Sequence, residues 1–195
     1  MKNSTILLLL TMFLALAGYS QKIKQISGNL TPLKGQKTIN LEYSYDGVLV
    51  GDMKESDYIN KKVSEYNSKE PGKGDTWKVA WANDRKTRYQ PKFEELFNKY
   101  LGEVGMIAKP GATDAQYTIL VKTLMIEPGF NVGVVRRPAM IEADIMLMET
   151  ANPGKVLSQS TVTRVPGSDV MGFDFDSAGE SQKHMQNLVK LMQNI

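Results

Sequence analysis

The sequence predicts a two-layer α+β domain, with a mostly antiparallel four-stranded sheet, helices on one face, and the order β-α-α-β-β-β-α. Three observations predict it. Apolar residues alternate at period two over residues 38–45 and 139–148, the signature of half-buried strands, and residues 117–126 and 156–165 read as further strands bounded by turn signals. Between residues 45 and 117, apolar residues recur at helical spacing instead. The last three strands are joined directly, with turn signals at Asn152-Pro153-Gly154 and Pro166-Gly167, which reads as an antiparallel meander. The chain has 195 residues, 42% hydrophobic and 23% charged, enough for one core and too ordered in composition for a disordered chain.

The elements follow in chain order. Lys2 precedes a nearly unbroken apolar run over residues 6–17, the length of a signal-peptide core and too short for a membrane span. Small residues at Ala15, Ala17, Gly18 and Ser20 allow cleavage after Ala17 or after Ser20. Residues 1–20 are therefore expected to be a signal peptide, and residues 21–37, with Gly28, Pro32 and Gly35, a flexible leader. Residues 38–195 form the single domain. Its first strand alternates Ile39, Leu41, Tyr43 and Tyr45 with polar residues and continues to Val48-Leu49-Val50 past Gly47. Asp52 with Glu55 has the spacing of a capping box, and Ile59, Val63 and Tyr66 carry a helix to Asn67. Pro71-Gly72-Lys73-Gly74 breaks it. Trp77 and Trp81 mark a second helical stretch ending before Pro91. Beyond Pro91, Phe93, Leu96, Phe97, Tyr100, Leu101 and Val104 form one apolar stripe, closed by Gly102 or Gly105. After the three strands, Ser177-Ala178-Gly179-Glu180 opens a final helix bearing Met185, Leu188, Val189, Met192 and Ile195.

Composition narrows the chemistry. Cysteine is absent, which excludes a disulfide framework, thiol catalysis, cysteine-ligated metal and a cysteine-borne lipid anchor. The one histidine, His184, excludes a histidine-rich metal centre and sits on the flank of the final helix. Of 24 basic residues, Lys2 leaves with the signal, so 23 basic face 21 acidic residues, a net +2. That is no nucleic-acid footprint. Expected cofactors and metals are none, no later segment spans a membrane, and catalytic residues are none.

Candidate sites remain. Glu142 and Asp144 lie two apart on one strand and share a polar sheet face, where paired carboxylates can do acid–base chemistry or simply meet water. Asp169, Asp174 and Asp176 supply calcium-type oxygens without EF-hand spacing. Arg85 to Lys92, downstream of Trp77 and Trp81, mixes basic and aromatic residues and suits an anionic envelope polymer better than nucleic acid. The connection Glu127-Pro128-Gly129-Phe130-Asn131-Val132-Gly133-Val134-Val135-Arg136-Arg137-Pro138 is unusually apolar for a loop. Phe130, Val132, Val134 and Val135, capped by Arg136 and Arg137, have interface composition, while a loop folded over its own sheet edge is the alternative.

The stretch from Ala115-Gln116-Tyr117 to Pro166-Gly167, with Glu127-Pro128-Gly129-Phe130 and Glu149-Thr150-Ala151-Asn152-Pro153, resembles small exported proteins of unknown function from Bacteroides-type bacteria. Gly172-Phe173-Asp174-Phe175-Asp176-Ser177 fits the same group. The resemblance implies no catalytic residues. More distantly, the element order resembles the TolB amino-terminal domain and the curli secretion lipoprotein, at fold level only. The expectation is a periplasmic or secreted, non-enzymatic protein-binding or assembly module that pairs with an envelope partner or itself. A domain binding a small ligand or anionic glycan is the alternative, and a carboxylate-based hydrolase comes third.

Overall fold

The computed structural model describes residues 22–132, 135–137 and 139–166. The expected signal peptide, Val134, the aspartates of 169–176, His184 and the final helix lie outside the described residues. The strands are β1 (Lys22–Gly28), β2 (Thr38–Ser44), β3 (Leu49–Val50), β4 (Met53–Lys54), β5 (Ile107–Pro110), β6 (Tyr117–Glu127), β7 (Phe130–Val132), β8 (Val135–Arg137), β9 (Met140–Glu149) and β10 (Asn152–Pro166). Three helical segments, α1 (Glu55–Asn67), α2 (Lys73–Asp84) and α3 (Gln90–Leu101), lie between β4 and β5.

The expected four-stranded, mostly antiparallel sheet with helices on one face is corrected. Among the described residues the sheet has eight strands and is mixed, in the order β1-β10-β9-β6-β2-β5, with β3 attached to β6 and β4 to β3. The β6–β9–β10 meander is antiparallel, with a tight turn at Thr150-Ala151 between β9 and β10 and a longer connection between β6 and β9, and β1 extends it antiparallel to β10. β2 and β3 instead run parallel to β6, and β5 runs parallel to β2. The helical connection from β2 back to β5 and β6 is a crossover, and crossovers join parallel strands. Within the expected leader, residues 22–28 are edge strand β1 and Thr31–Leu33 form a 3-10 turn. β1 carries a register shift between Gln25 and Ser27, and such an irregularity blunts an edge against further pairing.

Alternation along the strands places Ile39, Leu41, Ile119, Val121, Ala143 and Leu147 on one face, where they are buried. Helix α3 supplies Leu96, Phe97, Tyr100 and Leu101 to the same cluster. Asn98 ties α3 to β5, its amide donating to the Ala108 carbonyl at 2.9 Å while its oxygen accepts from the Ala108 N–H at 2.7 Å. Val104, expected in the stripe, is 38% exposed because the helix gives way to a 3-10 turn at Gly102.

Two local expectations also change. Asp52 does not cap α1, whose N-cap is Lys54 with no side-chain cap bond. The helix does not stop before Pro91; a π turn over Arg85–Tyr89 carries α2 into α3. Proline cannot donate a backbone hydrogen bond, and Pro91 follows directly on the π turn, where the regular helical ladder is already interrupted. The extra residue of a π turn re-aims the side chains on either side of it.

Candidate functional site

Two surfaces stand out. The first is an arm. Past Glu127 and Met140, the last register pair of β6 and β9, the chain continues as β7 and β8. These form their own two-stranded sheet, with Phe130 opposite Arg137, Asn131 opposite Arg136 and Val132 opposite Val135. The expected apolar loop is thus a β-ribbon. Gly129, at φ +69°, turns the chain into it, and its N–H donates to Glu127 Oε1 at 3.2 Å.

The second surface is the hairpin of α1 and α2. Neither helix has a fully buried side chain; only Gly74 is buried, and a β-carbon there would lie 2.3 Å from the Val63 carbonyl oxygen. The Gly74 N–H donates to Asn67 Oδ1 at 2.7 Å, fixing the turn. Close helix approach at glycine brings four half-buried rings together: Tyr58 and Tyr66 of α1 against Trp77 and Trp81 of α2. Centroids are 5.7 Å apart for Tyr66–Trp77, 5.4 Å for Trp77–Trp81, 5.4 Å for Tyr58–Trp81 and 6.0 Å for Tyr58–Trp77. Lys62 Nζ lies 5.7 Å from the Tyr66 ring centre and 5.8 Å from that of Tyr58, within cation–π range. Burial pushes the Tyr58 hydroxyl above its ordinary pKa, Lys62 opposes the shift, and nearby Tyr66, Glu65 and Glu127 add to it.

A polar clasp holds the hairpin to the sheet. Trp81 Nε1 donates to Glu55 Oε1 at 2.7 Å, and the Arg85 guanidinium pairs with the same carboxylate. Arg85 also lies over the Tyr45 ring, 4.2 Å from its centre. The π turn aims Arg85 inward, so the head of the basic stretch is occupied. Of the remaining cations, Arg88 pairs with Asp84 at 3.2 Å and Lys92 with Glu95 at 3.0 Å. Deeper in, Tyr43 donates to Glu94 Oε1 at 3.3 Å, and burial followed by the Glu94 charge raises its pKa far above the usual tyrosine range. Burial also raises Tyr45 and Tyr89.

Glu142 and Asp144 do share the polar face of β9, in register with Met125 and Lys122 of β6. Asp144 is held by its neighbours on β10: Thr161 Oγ1 donates to one oxygen at 2.6 Å and Gln159 Nε2 to the other at 2.9 Å. Among the described residues, no group of three or more His, Cys, Asp and Glu is arranged to hold a metal ion, and no helix is long and apolar enough to cross a membrane. The arm's residues were singled out by composition. The sequence reading missed Tyr58, although Tyr58, Lys62 and Tyr66 recur at i, i+4 and i+8, the spacing that lines one helix face.

No family model and no curated protein matches the chain. Solved structures similar in outline include two of one protein. The PelC dodecamer from Paraburkholderia phytofirmans aligns at 14% identity over 89% of this chain and 95% of that one, with a TM-score of 0.44. A point variant of the same dodecamer aligns at 14% identity over 89% and 99%, with a TM-score of 0.46. Likeness of that degree assigns neither a family nor a function.

Proposed function

We propose that this chain is an exported envelope protein that works by binding and assembly, with the arm as its contact surface, and that it performs no covalent chemistry. Export rests on the apolar run at residues 6–17 and the small residues after it. The observation that carries the binding role is the ribbon of β7 and β8, which pairs with itself and stands apart from the eight-stranded sheet. A two-stranded ribbon of three residues per strand is marginal by itself in water. A partner that covers it supplies what is missing. Phe130, Val132 and Val135 beside Arg136 and Arg137 are the residue types that anchor protein contacts. The carboxylate pair argues in the same direction, since Asp144 is already engaged through both oxygens.

The test is Phe130→Ser combined with Val132→Ser, read by melting temperature and by sedimentation. Anchors that leave water only in the complex contribute about 1–3 kcal/mol each to association. The expected result is weaker association with an unchanged melting temperature. A lowered melting temperature with unchanged association overturns the proposal, because the same side chains would then be covered within one chain.

A further inference from the structure

We propose that the Asn98 carboxamide is a built-in plug that closes the β5 edge of the sheet against strand addition by a second copy of the chain. Removing it would make this edge a site of association independent of the arm. Among the described residues β5 is the outermost strand on its side of the sheet and pairs only with β2. An edge strand offers its outward N–H and C=O groups to any extended segment that reaches them. Which groups point outward follows from the pairing. The N–H and C=O of one residue leave a strand on the same side, and successive residues alternate sides. The Ile107 N–H donates to the Lys37 carbonyl at 2.9 Å, towards β2, so Ala108 turns both of its groups to the open side. Asn98 takes both: Oδ1 accepts from the Ala108 N–H at 2.7 Å, and Nδ2 donates to the Ala108 carbonyl at 2.9 Å. A carboxamide carries an acceptor and a donor side by side, as a peptide group does. The side chain therefore stands where the next strand's backbone would stand.

The residues on either side complete the closure. Met106 lies two before Ala108, and its N–H donates to the Leu101 carbonyl at 3.0 Å. Pro110 lies two after and has no N–H to offer. Each outward donor from 106 to 110 is thus engaged or missing. The fold puts Asn98 in reach because α3 returns into β5 through residues 102–106 alone, turning at Gly105 with φ +70°. What the plug guards against is visible beside it. Val104 is 38% and Ile107 39% exposed, so apolar surface runs along this edge, the setting in which strands of separate chains pair. The opposite edge solves the same problem by other means, with Lys22, Lys24 and the register irregularity of β1. β5 has Lys109 only, and depends on Asn98.

The experiment compares three forms of the purified chain by sedimentation velocity and amide exchange. All carry Phe130→Ser with Val132→Ser, so that association through the arm does not enter: one has no further change, one adds Asn98→Ala and one adds Asn98→Asp. Asn98→Ala bares the Ala108 N–H and C=O, and should associate roughly tenfold or more tightly than the parent. Its Ala108 amide should exchange roughly tenfold faster than the parent's at low concentration, and slow again as the larger species forms. Asn98→Asp also loses the bond to the Ala108 carbonyl, but keeps an acceptor for the N–H and adds a charge that repels an incoming strand. It should sediment as the parent does. Asn98→Ser, too short to serve both groups, replaces Asn98→Ala should that variant fail to fold. An unplugged variant that sediments as the parent overturns the proposal. Association by the aspartate variant as well overturns it, because lost stability and not an open edge would then be the cause. An Ala108 amide that stays in fast exchange within the larger species overturns it too, because the contact would then lie elsewhere.

Discussion

Phe97→Ala tests the core that positions both surfaces. Phe97 is 0% exposed and stacks on Phe93 with centroids 5.3 Å apart, while Phe93 in turn meets Tyr43 edge-on at 5.8 Å. Truncating a buried phenylalanine to alanine costs about 3–5 kcal/mol, from lost transfer free energy and the cavity left behind. The upper part of that range applies, because neighbours Ile39, Leu41, Leu101 and Ile119 are themselves at most 1% exposed and anchored in strands or in α3, so the cavity cannot readily collapse. For a domain of this size each kcal/mol lowers the melting temperature by roughly 2–4 °C, which gives a fall of about 8–20 °C. Differential scanning calorimetry of the two proteins measures it. A shift of less than about 3 °C would refute the placement of this α3 face against the sheet.

Glu55→Ala should loosen the hairpin while sparing the core: Trp81 Nε1 and Arg85 both lose their acceptor, so tryptophan emission should shift to the red with a loss of about 2–3 kcal/mol, read by urea titration. Gly28→Ala should free β1, because Gly28 has φ +67° and a β-carbon there would lie 1.8 Å from the Leu157 carbonyl oxygen; faster amide exchange across residues 22–28 checks it. Tyr43 should make the fold alkali-sensitive. Its folded-state pKa is raised, so its contribution is fully present below the unfolded value near about 10 and is lost as pH rises toward the folded value. The urea midpoint should therefore fall between pH about 9 and 11.5, and Tyr43→Phe should flatten part of that fall at the cost of the Glu94 hydrogen bond.

Legibility followed whether the determining forces were local. The α3 stripe was readable because burial on one face repeats every three to four residues, and Leu96, Phe97, Tyr100 and Leu101 are buried as that period requires. The β6–β9–β10 meander was readable from the alternation along β9 and from the turn signals that bound each strand. Edge strand β1 was not: its Lys22, Lys24 and Gln25 read as leader, since an edge strand needs few apolar residues. β5, four residues ending in Pro110, carries almost no periodic signal. Its pairing with β2 is set by a crossover of more than sixty residues, which no local pattern records. At the candidate site, Phe130 to Arg137 stood out by composition, while their ribbon geometry did not. The aromatic face was half legible. Trp77 and Trp81 are four apart, but their meeting with Tyr58 and Tyr66 depends on the helix approach that Gly74 permits.

The arm is proposed to be a contact surface between protein molecules. A photoactivatable benzophenone side chain at position 130, in the chain exported by living cells, tests it most directly. Irradiation should give a covalent adduct to another protein molecule, and Val132→Ser on the same chain should reduce its yield. Mass spectrometry that finds position 130 crosslinked only to residues of its own chain, such as the edge of β6 or β9, would contradict the claim.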